Sequence, residues 1–188
     1  MTLNNKKILI IIGGGIAAYK SLDLIRLLKK NNAEIKTILT KSGREFVTPL
    51  SLTTLTGTRT FENIFDKDSE AEIDHIALSR WADIVIVMPT TANFMSKLSI
   101  GKAEDLATTV LLASNKDILL VPAMNVRMWL HKATQTNLKV LQVIPKLGYG
   151  GAETGCYDIA HYLPENGCKS FIVTSGGELL KFVDKNKV

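Results

Sequence analysis

The chain begins with an apolar run that leads directly into three consecutive glycines. The run covers Lys7 to Ile12, Gly13-Gly14-Gly15 interrupt it, and residues Ile16 to Asn31 follow with the apolar spacing of an amphipathic helix. A second strand is predicted over Glu34 to Thr40. A strand, a glycine turn, a helix and another strand make a βαβ unit, which requires a crossover connection and a parallel sheet.

The same alternation of apolar strands and helix-spaced segments continues to about residue 138. The further elements predicted are helices beginning at Ser42 and at Pro49, a strand or extended arm from Arg59 to Phe65, a helix from Ile73 to Ser79, a strand from Ile84 to Met88, helices from Thr91 to Leu98 and from Ala103 to Ala113, and a buried strand from Asp117 to Val121 followed by one more helix. This order predicts an α/β fold, namely a flavodoxin-like or Rossmann-like three-layer α/β/α arrangement around a parallel sheet.

The composition fits a packed globular protein that handles small molecules. The hydrophobic fraction is 46% over 188 residues, and the formal net charge is +5. No basic stripe with interleaved aromatic residues is present, so we expect no nucleic-acid partner, whereas a modest positive charge favours phosphorylated or carboxylated ligands. With only two cysteines, neither a disulfide framework nor a metal site is expected.

No apolar stretch reaches the length of about 18 residues that a membrane helix needs, so we expect no membrane partner. The first residues have no signal-peptide cleavage pattern and lead directly into a strand. These features predict a cytoplasmic protein.

Three predicted strand ends carry residues of the kind that bind ligands: Gly13–Gly15, Pro89–Asn93 and Pro122–Asn125. Because parallel strands share one direction, all three should lie at the carboxyl edge of the sheet, where such folds bind ligands. Glycines let a phosphate approach the free N–H groups of a helix N-terminus. The spacing departs from the dinucleotide fingerprint, and Thr40-Lys41-Ser42 replaces the acidic residue of that site, so a mononucleotide phosphate near Ser42 or the glycine amides fits better.

Two interpretations stay open for several of these residues. Asn125 either caps the helix that follows it or contacts a ligand, and Thr90 to Asn93 either cap a helix or line the site. His75 is either a structural residue or a general acid or base near neutral pH.

Five motifs, in order along residues 6–138, resemble one known family. They are Gly14 to Lys20, Phe46 to Ser51, His75 to Leu78, Pro89 to Asn93 and Pro122 to Trp129. Together they resemble the flavin-dependent phosphopantothenoylcysteine decarboxylases, within the homo-oligomeric flavin-containing cysteine decarboxylase family. The combination of the histidine with Pro-Ala-Met-Asn separates this branch from the related flavin prenyltransferases.

The resemblance implies bound FMN and a role for each matching residue. Gly14, Gly15 and Ile16, with Thr40 and Ser42, would hold the phosphate side of the cofactor. Thr91, Ala92 and Asn93 would lie by the flavin, with Ala123 nearby. His75 would be the catalytic base, and Asn125 with Met124 would bind the substrate.

The implied reaction is decarboxylation of 4'-phosphopantothenoylcysteine to 4'-phosphopantetheine in coenzyme A biosynthesis, with a phosphorylated cysteine conjugate as the small-molecule substrate. The family oxidises the cysteine thiol so that the carboxylate can leave, and then reduces the resulting enethiolate. Its members form homotrimers, often assembled into dodecamers, with flavin at subunit contacts.

The sequence departs from the family after about Leu138. The Ala-Cys-Gly-Glu motif of the family's substrate-covering lid, whose cysteine protonates the enethiolate, is not found, and Cys156 and Cys168 stand in other contexts. Residues 139–180 instead resemble the start of family 4-type glycosyltransferases. Val140 to Glu153 resemble the opening strand and glycine loop, and a helix from Tyr157 to Leu163 and a strand from Ser170 to Thr174 are predicted to follow. We therefore expect a flavoprotein domain over 1–138 and an appended βαβ-like segment over 139–188 that comes from a gene fusion or frame junction. Because the lid with its cysteine is missing, the alternative function is an FMN-binding flavoprotein with impaired decarboxylase turnover.

Overall fold

The computed structural model describes residues 3–64, 74–137, 139–144 and 169–174. The chain forms two compact units, Met1–Asn125 and Val126–Val188.

The first unit is a parallel sheet covered by helices. Its elements are β1 (Lys7–Ile12), α1 (Lys20–Lys30), β2 (Glu34–Leu39), α2 (Pro49–Thr56), β3 (Thr60–Phe61), α3 (Asp74–Trp81), β4 (Ile84–Thr90), α4 (Ala92–Ser99), α5 (Leu106–Ala113) and β5 (Asp117–Pro122). The strand order is β3-β2-β1-β4-β5, and every pairing is parallel. The predicted flavodoxin-like α/β fold is confirmed.

The central position of β1 explains why its sequence is apolar at every position from Ile8 to Ile12. Leu9 and Ile11 pack into the core on one face of the sheet, while Ile8, Ile10 and Ile12 pack into the core on the other face. Successive side chains of a strand point to opposite faces, so a strand with helices on both sides has no solvent-facing position. Burial of this strand fixes the position of the glycine turn that follows it.

Asp117 to Val121 form a strand as predicted, but the prediction that this strand is buried is wrong. β5 has the predicted position, but Ile118 is 40% exposed and Leu119 is 50% exposed. The physical reason is its place in the sheet, because β5 lies at the edge and, among the described strands, pairs with β4 alone. An apolar run does not distinguish an edge strand from a central one.

Several element boundaries also differ from the predictions. Residues Ile16–Tyr19 form a short 3-10 helix before α1, and the helix predicted from Ser42 is a single 3-10 turn, Gly43–Glu45. The helix predicted from Ala103 begins at Leu106, because Asp105 and Thr108 form a capping box there. β4 continues one residue past Pro89.

The second unit contains two short helices and a parallel pair of strands. These are α6 (Val126–Leu130), α7 (Lys132–Asn137), β6 (Lys139–Ile144) and β7 (Lys169–Thr174). Both strands agree with the strands predicted for the C-terminal segment, and the helix predicted between them, 157–163, lies outside the described residues. Within the described ranges, no helix has the length and apolar character needed to cross a membrane.

Candidate functional site

The glycine turn after β1 lies where three chain segments meet. A Cβ atom on Gly13 would lie 2.4 Å from the carbonyl oxygen of Pro89, and one on Gly14 would lie 2.7 Å from Cβ of Ser42. Both distances are too short for any side chain. Gly15 has a φ of 119°, a left-handed conformation that favours glycine. Gly13 and Gly14 therefore let the ends of β1, β2 and β4 approach one another, and Gly15 gives the turn its left-handed conformation.

The loop after β2 is attached to the end of β1 through Thr40. Its Oγ1 donates a hydrogen bond to the carbonyl oxygen of Ile12 at 2.9 Å and accepts one from the N–H of Gly43 at 3.1 Å. A Cβ atom on Gly43 would lie 2.5 Å from the same Ile12 oxygen. Because the hydroxyl hydrogen of Thr40 is already used, Thr40 shapes the loop and leaves Ser42 to present a hydroxyl group.

The end of β4 supplies the third group of predicted residues. Thr91 is the N-cap of α4, where its hydroxyl oxygen accepts a hydrogen bond from the N–H of Phe94 at 3.1 Å. The carbonyl oxygen of the buried Thr90 accepts a hydrogen bond from the N–H of Ala123 at 3.1 Å, so the ends of β4 and β5 are joined. Thr91 therefore caps α4, and it also lines the cleft that is described next.

A cleft of about 640 Å³ lies at the carboxyl edge of the sheet. It is lined by Gly13, Gly14, Gly15, Thr40, Lys41, Ser42, Phe46, Thr91, Asn93, Phe94, Lys97, Glu104 and Asp105. Six residues predicted for the cofactor are thus brought together, namely Gly14, Gly15, Thr40, Ser42, Thr91 and Asn93. The volume lies within the range of about 300–1,000 Å³ typical of small-molecule sites.

The remaining predicted cofactor residues are close in sequence to the cleft but are not part of its described lining. Ile16 follows Gly15 directly and is 77% exposed, and Ala92 lies between Thr91 and Asn93 in the first turn of α4. The N–H of Ala123 donates a hydrogen bond to the carbonyl oxygen of Thr90, as described above. A second cavity of about 450 Å³ is also lined by Thr40, Lys41, Glu104 and Asp105, so the same edge of the sheet offers further space.

Six lining residues were not predicted as site residues from the sequence: Lys41, Phe46, Phe94, Lys97, Glu104 and Asp105. Lys97 contacts Glu104, whose other carboxylate oxygen contacts Lys102, and Lys97 Nζ lies 3.8 Å from Asp105 Oδ2. These hydrogen bonds from Lys102 and Lys97 lower the pKa of Glu104 to about 2. The only sequence signal for this group was Asp105 with Thr108 three residues later, a pattern typical of a helix start.

His75, Met124 and Asn125 are not among the described residues that line the cleft. His75 lies in the first turn of α3, and its Nδ1 atom is buried without a hydrogen-bond partner among the described residues. Met124 is half-buried and Asn125 exposed, directly after β5. Cys156 and Cys168 lie outside the described residues.

The chain belongs to the Flavoprotein family, because the model of that family matches residues 1–156. This match continues past Leu138, the boundary expected from the motifs. The coenzyme A biosynthesis bifunctional protein CoaBC of Haemophilus influenzae is 44% identical over 161 residues, which are 85% of this chain and 40% of that protein. The chain therefore spans less than half the length of this relative.

Solved structures of similar fold include two decarboxylases. The FMN-dependent cysteine decarboxylase SpaF has a TM-score of 0.68 at 28% identity, covering 72% of this chain and 78% of its own. A cysteine-to-serine mutant of PPC decarboxylase, solved in complex with pantothenoylaminoethenethiol, has a TM-score of 0.60 at 27% identity, covering 72% of this chain and 76% of its own.

Proposed function

We propose that the chain binds FMN in the cleft and decarboxylates 4'-phosphopantothenoylcysteine to 4'-phosphopantetheine in coenzyme A biosynthesis. The observation that carries the proposal is the meeting of the glycine turn, the Thr40–Ser42 loop and the start of α4 around one cleft in a member of the Flavoprotein family. The similarity to CoaBC and to cysteine decarboxylases of known structure supports the substrate class.

The residues of the cleft fit a phosphorylated mononucleotide. In this proposal Gly14, Gly15 and Ile16 offer backbone N–H groups to the phosphate, and Ser42 offers its hydroxyl group. Thr40 supports them by holding the loop to Ile12. The glycine turn has no side chains, and a Cβ at Gly13 or Gly14 would clash, so the bare backbone gives a cradle that a phosphate can approach closely.

The flavin side of the cofactor is assigned to the start of α4 and the end of β5. Thr91, Ala92 and Asn93 would contact the flavin, with Ala123 close by through its hydrogen bond to Thr90. When bound, FMN supplies the electron acceptance that lets the cysteine thiol be oxidised before carbon dioxide leaves.

The chain's own residues position the substrate and move its protons. We assign His75 as the base, since imidazole exchanges protons near neutral pH and its buried Nδ1 has no partner among the described residues. A buried polar atom without a partner is costly, which favours a ligand or a neighbouring group as its partner. Asn125 and Met124 are assigned to the substrate, with the Asn125 amide donating to the carboxylate.

The alternative is an FMN-binding flavoprotein whose turnover is impaired. It is favoured by one observation: the Ala-Cys-Gly-Glu motif expected in the lid does not occur in this sequence, and Cys156 stands in Glu-Thr-Gly-Cys-Tyr instead. The cysteine that would protonate the enethiolate is therefore not identified.

The experiment that tests the proposal measures FMN binding and carbon dioxide release separately. The purified protein should bind one FMN per chain and release carbon dioxide from 4'-phosphopantothenoylcysteine. His75→Asn should retain FMN and lose the release, because the amide does not take up a proton. A protein that binds no FMN after reconstitution would contradict both functions, while bound FMN without carbon dioxide release would contradict the decarboxylase.

We also propose that the chain works in the cytoplasm as a homotrimer or homododecamer. Four large apolar side chains near the glycine turn and α2 are exposed and would be covered by such an assembly: Ile16, Tyr19, Phe46 and Leu50. Light scattering tests this, and a monomer that holds FMN would contradict it.

A further inference from the structure

One wall of the cleft is a cluster of charged residues that the proposed function does not use. The cluster, here called the charged wall, consists of Lys97, Lys102, Glu104 and Asp105. Lys97, Glu104 and Asp105 line the cleft, whereas Lys102 lines a separate apolar cavity. Lys97 contacts both carboxylates, and Lys102 contacts only Glu104.

The backbone holds this cluster in one arrangement. Gly101 has a φ of 66°, and the N–H groups of Gly101 and Lys102 donate to the carbonyl oxygens of Leu98 and Lys97 at 3.1 Å and 2.9 Å. This is the Schellman pattern, which ends α4 and turns the chain back along it. The Lys97 side chain is only 21% exposed, so its ammonium group has a defined place beside the carboxylates.

The carboxylate of Asp105 has a structural role that does not depend on what binds in the cleft. Its Oδ1 accepts hydrogen bonds from the N–H of Thr108 at 2.8 Å and from the Thr108 hydroxyl at 2.7 Å, which caps α5. A negative charge is therefore built into the wall of a cleft that would have to accept a phosphate. Without a cation beside it, this charge would repel an anionic ligand.

The charged side chains that line the cleft carry equal positive and negative charge, and Lys97 supplies one of the two positive charges. The charged lining residues are Lys41, Lys97, Glu104 and Asp105, two of each sign. Removal of the Lys97 ammonium would leave two carboxylates against Lys41 alone. Because the Lys97 side chain is only 21% exposed, the loss of its charge is screened less than a change of charge on an open surface would be.

We propose that Lys97 is a positioning residue that neutralises Glu104 and Asp105, so that the cleft accepts the phosphate-bearing form of flavin in preference to riboflavin. This inference deepens the proposed function and rests on it. Lys97 acts by neutralising the two carboxylates. The property that it controls is the difference in affinity between a flavin with a phosphate and a flavin without one.

The test compares FMN with riboflavin, which has the same ring system without the phosphate. Lys97→Met should weaken FMN binding about tenfold and change riboflavin binding by less than about twofold, because only the phosphate senses the added negative charge. Lys97→Arg should bind FMN as the unaltered chain does. Lys102→Met is the matched comparison, since it removes the other Glu104 contact from outside the cleft and should lower the FMN-to-riboflavin ratio by less than Lys97→Met does.

Two further variants test the effect of the wall's charge on FMN binding, so that the inference does not depend on Lys97→Met alone. Glu104→Gln should strengthen FMN binding a few-fold and leave riboflavin unaffected, and Lys97→Met combined with Glu104→Gln should restore most of the lost FMN affinity. Equal losses for FMN and riboflavin in Lys97→Met, or no recovery in the double variant, would overturn the inference. If the unaltered chain binds neither flavin, the proposed function fails and the inference fails with it.

Discussion

Thr40 joins two strand ends through one hydroxyl group. Its Oγ1 lies 2.9 Å from the carbonyl oxygen of Ile12, to which it donates, and 3.1 Å from the N–H of Gly43, from which it accepts. The first bond joins β2 to the end of β1, and the second shapes the turn that carries Ser42. The position of the proposed phosphate site therefore depends on a residue whose own hydroxyl hydrogen points away from any ligand.

Thr40→Val should remove both bonds while keeping the shape of the side chain. The Gly43 N–H would lose its partner in a half-buried place, and the Ile12 carbonyl oxygen would keep only its bond from the Thr40 N–H, so we expect the free energy of unfolding to fall by about 1–3 kcal/mol. Urea unfolding measures this, and FMN titration should show weaker binding because Ser42 is no longer held. Thr40→Ser is the control and should keep both values close to the original, whereas an unchanged stability in Thr40→Val would contradict the role of the hydroxyl.

Gly13→Ala tests the close approach of β1 to β4. The added Cβ would lie 2.4 Å from the carbonyl oxygen of Pro89, so backbone must move, and overpacking of this kind costs about 1–3 kcal/mol. We expect the variant to be less stable and to bind FMN poorly. The control is Gly57→Ala, where φ is 74° but, beyond the two chain neighbours, no atom of the described residues lies within 4 Å of the new Cβ. It should be destabilised by about 1–2 kcal/mol through backbone strain and still bind FMN. Equal FMN affinity in both variants would show that the approach does not matter.

The sequence was sufficient to predict the elements whose pattern is local. The continuous apolar run of β1, the glycine turn and the spacing of α1 lie within about thirty residues of one another, and the parallel sheet follows from them. Six of the residues predicted for the cofactor lie together in the cleft because the ends of parallel strands meet at one edge of the sheet. The assignment of each of these residues to FMN came from the family resemblance and stays a prediction.

Features that depend on the whole sheet or on a turn could not be predicted in the same way. The exposure of Ile118 and Leu119 follows from the edge position of β5, and the sequence of a strand does not show which strands pair with it. The contact of Lys97 with Glu104 depends on the left-handed Gly101, which reverses the chain between them. The roles of His75, Met124 and Asn125 stay predictions, as do the boundary at Leu138 and the glycosyltransferase-like origin of the segment after it.

Glu104 should make part of the stability depend on pH. Hydrogen bonds from Lys102 and Lys97 lower its pKa from 4.5 to about 2, so the folded state favours the charged carboxylate. A lowered pKa contributes stability above about 4.5, which is lost as the pH falls towards about 2. The thermal midpoint of the original chain should exceed that of Glu104→Gln near neutral pH, and the difference should shrink through this window. Added salt should reduce the difference at neutral pH, because the group is exposed. A constant difference from neutral pH to pH 2 would contradict this account.

The last prediction separates full turnover from impaired turnover. Thiol oxidation and loss of carbon dioxide require FMN and a base, which we assign to His75, whereas the final reduction requires a proton donor near the product. The family's lid cysteine supplies that proton, and its Ala-Cys-Gly-Glu motif is not found in this sequence. Loss of a general acid typically slows a step by about 10²–10⁴-fold.

We therefore expect slow turnover, with an oxidised enethiol product accumulating when the cysteine substrate is added without oxygen. Mass spectrometry of the product and the loss of flavin absorbance in one turnover measure the two half-reactions separately. His75→Asn should abolish both signals, while Cys156→Ser and Cys168→Ser should change little, since neither cysteine stands in the lid motif. Rapid formation of the fully reduced product that collapses in Cys156→Ser would show instead that the C-terminal segment supplies the acid, and the interpretation of that segment as foreign to the family would then be wrong.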